Sequence, residues 1–212
     1  MTKYFLIKGR ILSYIVTLIK PVSIHNYLKF QKIYNIWANI KMDDIAGDYL
    51  EFGILKGKSL LHSYRCYKKL GLSERNFYGL DSFQGFPTEN HNFFTNKNFT
   101  SNSYNVKKTF KKIKNIQIIE GFFEDTIKQK NIQDIEQISF TFIDCDIYES
   151  ALSIFPFLKN RMKPGSFIMI DDFSSIDKNG NTIFKAFSNN FEVGKDCILY
   201  ETYSNGQIYR MI

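Results

Sequence analysis

The feature that most constrains this chain is an alternation of short apolar runs and helical patterns that begins at residue 49. The apolar runs predict five central strands, at 49–52, 77–80, 116–120, 138–143 and 167–170. Helices are predicted at 58–70, 106–113, 150–162 and 182–189. Since strands that alternate with helices form mainly parallel sheets with helices on both faces, the fold class is predicted to be α/β.

The C-terminus departs from this alternation. Two further strands are predicted near 197–201 and 207–211, and the turn Ser204-Asn205-Gly206 joins them. A short turn that contains glycine between two strands is typical of a hairpin, so the last pair adds an antiparallel strand to the sheet. The whole sheet is therefore predicted to be mostly parallel and seven-stranded.

Size and charge limit the class of protein. The 212 residues fit one domain, and a composition of 44% hydrophobic and 17% aromatic residues excludes a disordered chain. The net charge is +7, and five lysines fall within eight residues, at 107, 108, 111, 112 and 114. We interpret these lysines as a solvated helix face, with a surface for an anionic substrate or lipid as the alternative. No nucleic-acid-binding motif accompanies them, so no nucleic-acid partner is expected.

The cysteines and the N-terminus indicate where the chain works. Cys66, Cys145 and Cys197 are widely spaced and form no C-x-x-C pair, which argues against zinc and redox motifs and favours the cytoplasm. The apolar segment Tyr4–Ile19 is interrupted by charges, and its longest uncharged run has nine residues, whereas a membrane span needs ~20. We predict an amphipathic helix that packs on the domain or a partner, with peripheral contact at the inner face of the membrane as the alternative.

Acidic residues cluster where the predicted strands end. Every central strand carries an acid at or next to its end: Glu51, Asp81, Glu120, Asp144 and Asp171. Ligands of open α/β sheets bind outside the carboxyl ends of the strands. Because gathering carboxylates is costly unless cations or hydroxyls satisfy them, this edge is predicted to bind a polyhydroxyl ligand, a metal, or both.

The first strand leads into a glycine turn, from Glu51 to Gly57. Gly53 and Gly57 would let the backbone approach a ligand closely, although glycines that serve only packing are the alternative. Their spacing excludes the G-x-G-x-x-G dinucleotide fingerprint, and no phosphate loop follows. Asp81 ends the next strand, where an acid suits the two hydroxyls of a ribose, with a helix or turn cap as its alternative.

A second acidic cluster follows the fourth and fifth strands. It contains Asp144, Asp146, Asp171 and Asp172. Carboxylates from adjacent strand ends suit a hard cation such as Mg²⁺, which would orient a substrate hydroxyl and lower its pKa. A nearby carboxylate, or the metal alone, could then take the proton. Because alternate residues of a strand point the same way, the pattern does not separate Asp144 from Asp146, and helix caps are the alternative for some of these residues.

Five segments, taken in order, resemble the macrocin-type sugar O-methyltransferase family over roughly residues 47–175. They are Tyr49–Ser59, Gly79–Pro87, Glu120–Thr126, Phe142–Ser150, and Lys163–Gly165 with Ile170–Phe173. The resemblance implies a class I, Rossmann-like methyltransferase fold that binds S-adenosyl-L-methionine (SAM) and Mg²⁺. Methyl transfer to a hydroxyl of a sugar or glycan-type acceptor is the activity it implies.

The resemblance also implies roles for single residues. The SAM-binding residues would be Glu51, Gly53 and Gly57 at the methionine end with Ser59 nearby, Asp81 at the ribose with Ser82 beside it, and Gly121 and Phe122 at the adenine. The metal ligands would be Asp144, Asp171 and Asp172, and Asp144 would also serve as the catalytic base.

Two regions show no such resemblance: residues 1–45 and the polar loop 82–105. We predict that 1–45 is a helical extension serving as a lid or an oligomer contact, including a homodimer contact, and that 46–212 is the methyltransferase domain. His91 in the loop could assist the reaction, although a lone loop histidine is usually solvated. Two other functions remain: a metal-independent N-methyltransferase, and a non-catalytic SAM- or nucleotide-binding partner in a glycan assembly complex.

Overall fold

The computed structural model describes Tyr14 and residues 17–212, except for the side chain of Lys97. The amphipathic helix predicted for Tyr4–Ile19 therefore lies mostly outside the described residues. Helix α1 runs from Pro21 to Met42, with proline in its first turn, where the missing N–H costs nothing. No helix among the described residues is long and apolar enough to cross a membrane.

The remaining elements alternate as the sequence predicts. In chain order they are β1 (Asp48–Phe52), α2 (Lys58–Leu70), β2 (Phe77–Asp81), α3 (Ser103–Phe110), β3 (Ile116–Glu120), α4 (Phe123–Thr126), α5 (Lys130–Gln133), β4 (Ile138–Ile143), α6 (Tyr148–Ala151), α7 (Ile154–Lys159), β5 (Met162–Ile170), α8 (Ile183–Ser188), β6 (Cys197–Tyr203) and β7 (Gly206–Met211).

One seven-stranded sheet organises the chain, in the order β3-β2-β1-β4-β5-β7-β6. Strands β1 to β5 pair in parallel, and β7 runs antiparallel to both β5 and β6. The predicted fold class is thus confirmed, including the antiparallel C-terminal pair. The strand order reverses between β1 and β4, and a crevice for ligands opens at such a point, outside the carboxyl ends of the strands.

Apolar side chains cover both faces of the sheet, and α1 belongs to this core. Trp37 of α1 is fully buried, and its ring packs against Tyr49, Phe77 and Phe140 of the sheet. Its indole N–H donates a 2.7 Å hydrogen bond to the Ser63 hydroxyl of α2, so its one polar atom is satisfied. This packing holds the N-terminal half of α1 near the edge where the strands end.

The prediction of one continuous helix at 150–162 is wrong. Two short helices, α6 and α7, replace it, and Met162 already begins β5. Pro156 explains the interruption, because its ring would clash with the carbonyl of Leu152 in a continuous helix. Pro164 and Gly165, which would be expected to stop a helix ending at 162, lie within β5 instead.

The predicted basic helix is displaced by three residues. It begins at Ser103 because the Asn102 side chain accepts the backbone N–H of Asn105 at 3.0 Å and caps the first turn. The five clustered lysines on and after α3 are all exposed, as a solvated face requires.

Candidate active site

A cavity of about 820 Å³ opens at the carboxyl ends of the strands. Its walls are the strand ends, the N-terminal part of α1 and the loop 82–105. Eight of the residues singled out in the sequence line it: Gly53, Asp81, Ser82, Phe122, Asp144, Asp146, Asp171 and Asp172. The cavity therefore joins the glycine turn, the ribose-type acid and the second acidic cluster in one space.

Gly53 is the point where two strand ends meet. Its φ of +89° is a conformation that other residues rarely adopt, and a Cβ there would lie 2.0 Å from the carbonyl oxygen of Asp144. Gly57 also has a positive φ, but a Cβ there would meet the ring of Phe110 in α3 at 2.7 Å. Gly53 lines the cavity, and the close approach that it permits is to the backbone of Asp144. The close approach that Gly57 permits is to a packed aromatic ring.

Glu51 is completely buried and does not line the cavity. The hydroxyls of Tyr49 and Ser59 donate hydrogen bonds to its two carboxylate oxygens at 2.6 and 2.5 Å. Burial raises the pKa of Glu51 to about 7, and the two hydroxyls only partly oppose that shift. The predicted cofactor residues Glu51 and Ser59 are therefore bonded to each other, next to the turn that carries Gly53.

Asp81 lines the cavity at the end of β2 with both carboxylate oxygens engaged. They accept the backbone N–H groups of Leu55 and Phe83 at 2.7 and 2.6 Å. Burial raises the Asp81 pKa, and these backbone bonds oppose it. Each oxygen has capacity for another hydrogen bond, so Asp81 can also receive ligand hydroxyls. The neighbouring Ser82 hydroxyl donates to the carbonyl of Gly85 at 2.6 Å, which commits it to the turn.

The end of β3 contributes fewer residues to the cavity than predicted. Glu120 is exposed and paired with Lys107 at 2.7 Å, so it does not join the other acids. Gly121 adopts a φ of +141° and donates its N–H to the carbonyl of Asp81, but it is not a lining residue. Phe122 lines the cavity, as an aromatic wall for a base would.

Three carboxylates converge after β4 and β5. Oxygens of Asp144, Asp171 and Asp172 all lie within 4.8 Å of one another. The strands hold them there, because the N–H of Asp144 bonds to Phe52 and that of Asp171 bonds to Ile143, extending the ladders by one residue. An oxygen-only donor set of this kind suits a hard divalent cation.

The structure separates Asp144 from Asp146, which the sequence left open. Asp146 lines the cavity with a φ of +63°, and it is not part of the three-carboxylate group found among the described residues. Burial, reinforced by Asp144, raises the pKa of Asp146 well above its usual value. Burial also raises the Asp144 pKa, to about 6, although Lys29 opposes the shift.

Two basic residues of α1 reach the carboxylates, and the sequence analysis missed both. Lys29 Nζ lies 2.9 Å from Asp144 Oδ2 and 2.5 Å from Asp171 Oδ2. His25 Nε2 lies 3.1 Å from the same Asp171 oxygen. Burial opposes ionisation of Asp171, but His25 and Lys29 together lower its pKa to about 2. The i,i+4 spacing places His25 and Lys29 on one helix face, which was the only signal in the sequence.

The loop 82–105 forms a wall of the cavity. Its rings Phe86, Phe94 and Phe99 pack against one another and line the space. His91 accepts the backbone N–H groups of Phe93 and Phe94 on Nδ1, each at 3.0 Å. Its Nε2 lies 2.9 Å from the Ser175 hydroxyl, and the ring is buried. His91 is thus a structural anchor of the loop, and the expectation of a solvated histidine was wrong.

Sequence comparison with known proteins identifies relatives of this chain. The sequence model of the macrocin-O-methyltransferase (TylF) family matches residues 24–202. A mycinamicin III 3''-O-methyltransferase from Micromonospora griseorubida is 23% identical over 174 residues, which cover 72% of this chain and 66% of that protein. A tetracenomycin-type 4'-O-methyltransferase from Streptomyces olivaceus, whose name specifies a dimethoxy-rhamnosyl compound, is 22% identical over 73% of this chain and 64% of its own. The chain thus spans just under two thirds of the length of these relatives.

Solved structures show the same fold. The calicheamicin methyltransferase CalS11 superposes with a TM-score of 0.71 at 14% identity, covering 96% of this chain and 85% of its own. An O-methyltransferase from Bacillus cereus in complex with SAH has a TM-score of 0.58 at 17% identity, covering 86% of this chain and 80% of its own. The class I methyltransferase fold is therefore confirmed. Since the family match extends over most of the sequence, the chain belongs to the macrocin-O-methyltransferase (TylF) family, as its five motifs predicted.

Proposed function

We propose that this protein is a SAM-dependent O-methyltransferase that methylates a hydroxyl of a sugar or glycan-type acceptor with the help of a divalent cation. One observation carries the proposal: Gly53, Asp81 and the carboxylates of Asp144, Asp171 and Asp172 open on a single cavity. Its volume of about 820 Å³ falls in the upper part of the usual range for small-molecule sites, which leaves room for a nucleoside cofactor and an acceptor.

The cofactor would occupy the side of the cavity formed by β1 and β2. When bound, SAM supplies an electrophilic methyl group on a sulfonium. Asp81 would receive the ribose hydroxyls, the backbone at Gly53 would approach the methionine portion, and Phe122 would border the adenine. Glu51, Ser59 and Gly57 would act from behind the turn, by fixing its shape. Family membership and the SAH complex of a protein with the same fold support this assignment.

The three-carboxylate group fits a divalent cation such as Mg²⁺. Asp144, Asp171 and Asp172 would hold it, and its chemistry would be to orient the acceptor hydroxyl and lower the hydroxyl pKa. Asp144 was predicted to be the base as well, but its Oδ2 is engaged by Lys29. Asp146 lines the same cavity, but burial raises its pKa well above the usual value, which favours the protonated carboxyl. Asp144 therefore stays the candidate base, through the oxygen that Lys29 does not hold.

The acceptor side would consist of α1 and the loop 82–105. Val22, His25 and Asn26 of α1 line the same cavity as the aromatic wall of the loop. A sugar has apolar C–H faces and hydroxyl edges, so rings beside carboxylates suit it. The rhamnosyl compound in the name of the Streptomyces relative supports this acceptor class. On this proposal residues 1–45 contribute a wall of the acceptor site, and residues 46–212 form the methyltransferase domain.

The test is methyl transfer from isotopically labelled SAM to a panel of rhamnosides and nucleotide-linked deoxysugars, with Mg²⁺ or with EDTA. We expect transfer with Mg²⁺, loss in EDTA, and a roughly hundredfold or larger loss in Asp171→Asn, because a ligand and its ion pairs are removed together. Asp134→Asn, at an exposed helix end away from the cavity, is the matched control.

The outcomes separate the competing functions. SAH binding by calorimetry without transfer to any acceptor would favour the non-catalytic binding partner. Transfer that survives both EDTA and Asp171→Asn would remove the metal from the proposal and leave O-methylation. The Lys29 ammonium between Asp144 and Asp171 favours that second, metal-independent candidate, since it already supplies a positive charge there.

A further inference from the structure

Lys29 forms an unusually enclosed ion pair for a helix residue. Its side chain is only 11% exposed, and its ammonium contacts the Oδ2 atoms of both Asp144 and Asp171. The Phe142 ring lies 5.6 Å from the same nitrogen and closes another side. A cation that has lost this much water stays charged only where carboxylates compensate it, so the ammonium and the two aspartates form one electrostatic unit.

This unit is not electrically balanced. Four carboxylates lie together at the strand ends, those of Asp144, Asp146, Asp171 and Asp172. Among the described residues, the cations in contact with them are Lys29 and, when it is protonated, His25. The three carboxylates of Asp144, Asp171 and Asp172 therefore keep a formal net negative charge of one or two, which attracts a divalent cation.

Three of the four carboxylate oxygens of Asp144 and Asp171 already have a partner among the described residues. Asp171 Oδ2 is shared by Lys29 and His25, and Asp171 Oδ1 accepts the Tyr203 hydroxyl at 3.0 Å. Asp144 Oδ2 is held by Lys29. A cation that binds this group meets the ammonium at Asp144 Oδ2 and Asp171 Oδ2, where two positive charges in contact with the same atoms repel each other.

We propose that Lys29 is a built-in counter-cation of the three-carboxylate site, and that a divalent cation binds only by displacing it. This inference rests on the metal assistance in the proposed function. Displacement of Lys29 would make the position of the acceptor-site wall depend on metal binding, because Val22, His25 and Asn26 of the same helix line the cavity. Metal binding would then release α1 from Asp144 and Asp171 at the place where the acceptor is to enter.

The direct test measures Mn²⁺ affinity by calorimetry in the full-length chain. Lys29→Met should bind Mn²⁺ roughly tenfold or more tightly than the unchanged protein, because no ion pair has to be broken first. Lys32→Met is the matched control: Lys32 lies one turn further along α1, pairs with Glu201 instead, and does not line the cavity. Its Mn²⁺ affinity should equal that of the unchanged protein.

A second measurement needs no variant and covers the case in which Lys29→Met fails to fold. The acylation rate of each lysine by an amine-reactive reagent is read by mass spectrometry with and without saturating Mg²⁺. Displacement predicts that Lys29 reacts several-fold faster with Mg²⁺, while Lys32 is unaffected. A Lys29 rate that stays constant or falls would overturn the proposal.

The results distinguish this inference from the function on which it rests. Equal Mn²⁺ affinity in the unchanged protein and Lys29→Met would refute the displacement and leave metal assistance intact. Absence of Mn²⁺ binding in both proteins would refute both. Weaker binding in Lys29→Met, with the fold verified by its thermal transition, would mean that Lys29 supports the metal, the opposite of the proposal.

Discussion

Gly53 offers the sharpest test of how the fold builds the site, through the substitution Gly53→Ala. The residue has a φ of +89°, and the added Cβ would fall 2.0 Å from the Asp144 carbonyl oxygen, where ordinary contact begins at 3.4 Å. The clash is with backbone, which no side-chain rotation relieves. The end of β4 must therefore move away from β1 by more than an ångström, and it carries Asp144 with it.

The expected cost follows from two contributions. Holding a residue other than glycine in the left-handed region costs about 1–2 kcal/mol. Forcing extra volume into a packed contact costs about 1–3 kcal/mol more. We therefore expect Gly53→Ala to lower the free energy of unfolding by about 3 kcal/mol, a large part of the ~5–15 kcal/mol that stabilises a typical domain.

Gly71→Ala is the matched control. Gly71 ends α2 in the left-handed conformation, with a φ of +63°, and a Cβ there would meet nothing within 4 Å. Only the conformational cost applies, so the loss should be about 1–2 kcal/mol. Urea unfolding of both variants measures the difference, and SAH and Mn²⁺ calorimetry should show a loss of affinity in Gly53→Ala alone. If the two variants lose equal stability and both bind normally, the reasoning about the strand junction is wrong.

Two further predictions concern the buried acids beside that junction. Burial raises the pKa of Glu51 from 4.5 to about 7 in the folded protein. The stability that the bound proton contributes is therefore fully present below pH 4.5 and is lost as the pH rises through about 7. The unfolding free energy of the unchanged protein, relative to Glu51→Gln, should thus fall by about 2 kcal/mol between pH 5 and pH 8 in urea titrations, and a flat difference would contradict the burial argument. Asp81→Asn should weaken SAH binding by roughly tenfold or more in calorimetry, since a hydrogen bond to a charged group is worth about 1.5–3 kcal/mol. An unchanged SAH affinity in a folded variant would remove Asp81 from the cofactor site.

Short-range sequence patterns were enough to predict the strands, the order of strand and helix, and the acids at the strand ends. These are local properties, because period and composition within a few residues decide them. The convergence of Asp144, Asp171 and Asp172 could also be anticipated, since consecutive parallel strands end at the same edge of a sheet. Local signals failed where a single residue overrode the pattern, as Pro156 does in α7 and the Asn102 cap does at the start of α3.

The tertiary structure decided which groups touch. Lys29 and Asp144 are 115 residues apart, and His25 and Asp171 are 146 apart, so no periodicity links them. Their contact exists because Trp37 fixes α1 on the sheet, which turns one face of that helix toward the strand ends. The Phe110 ring that packs against Gly57 likewise comes from another helix, α3. Contacts of this kind depend on how helices pack across the sheet, which is settled only when the whole core assembles.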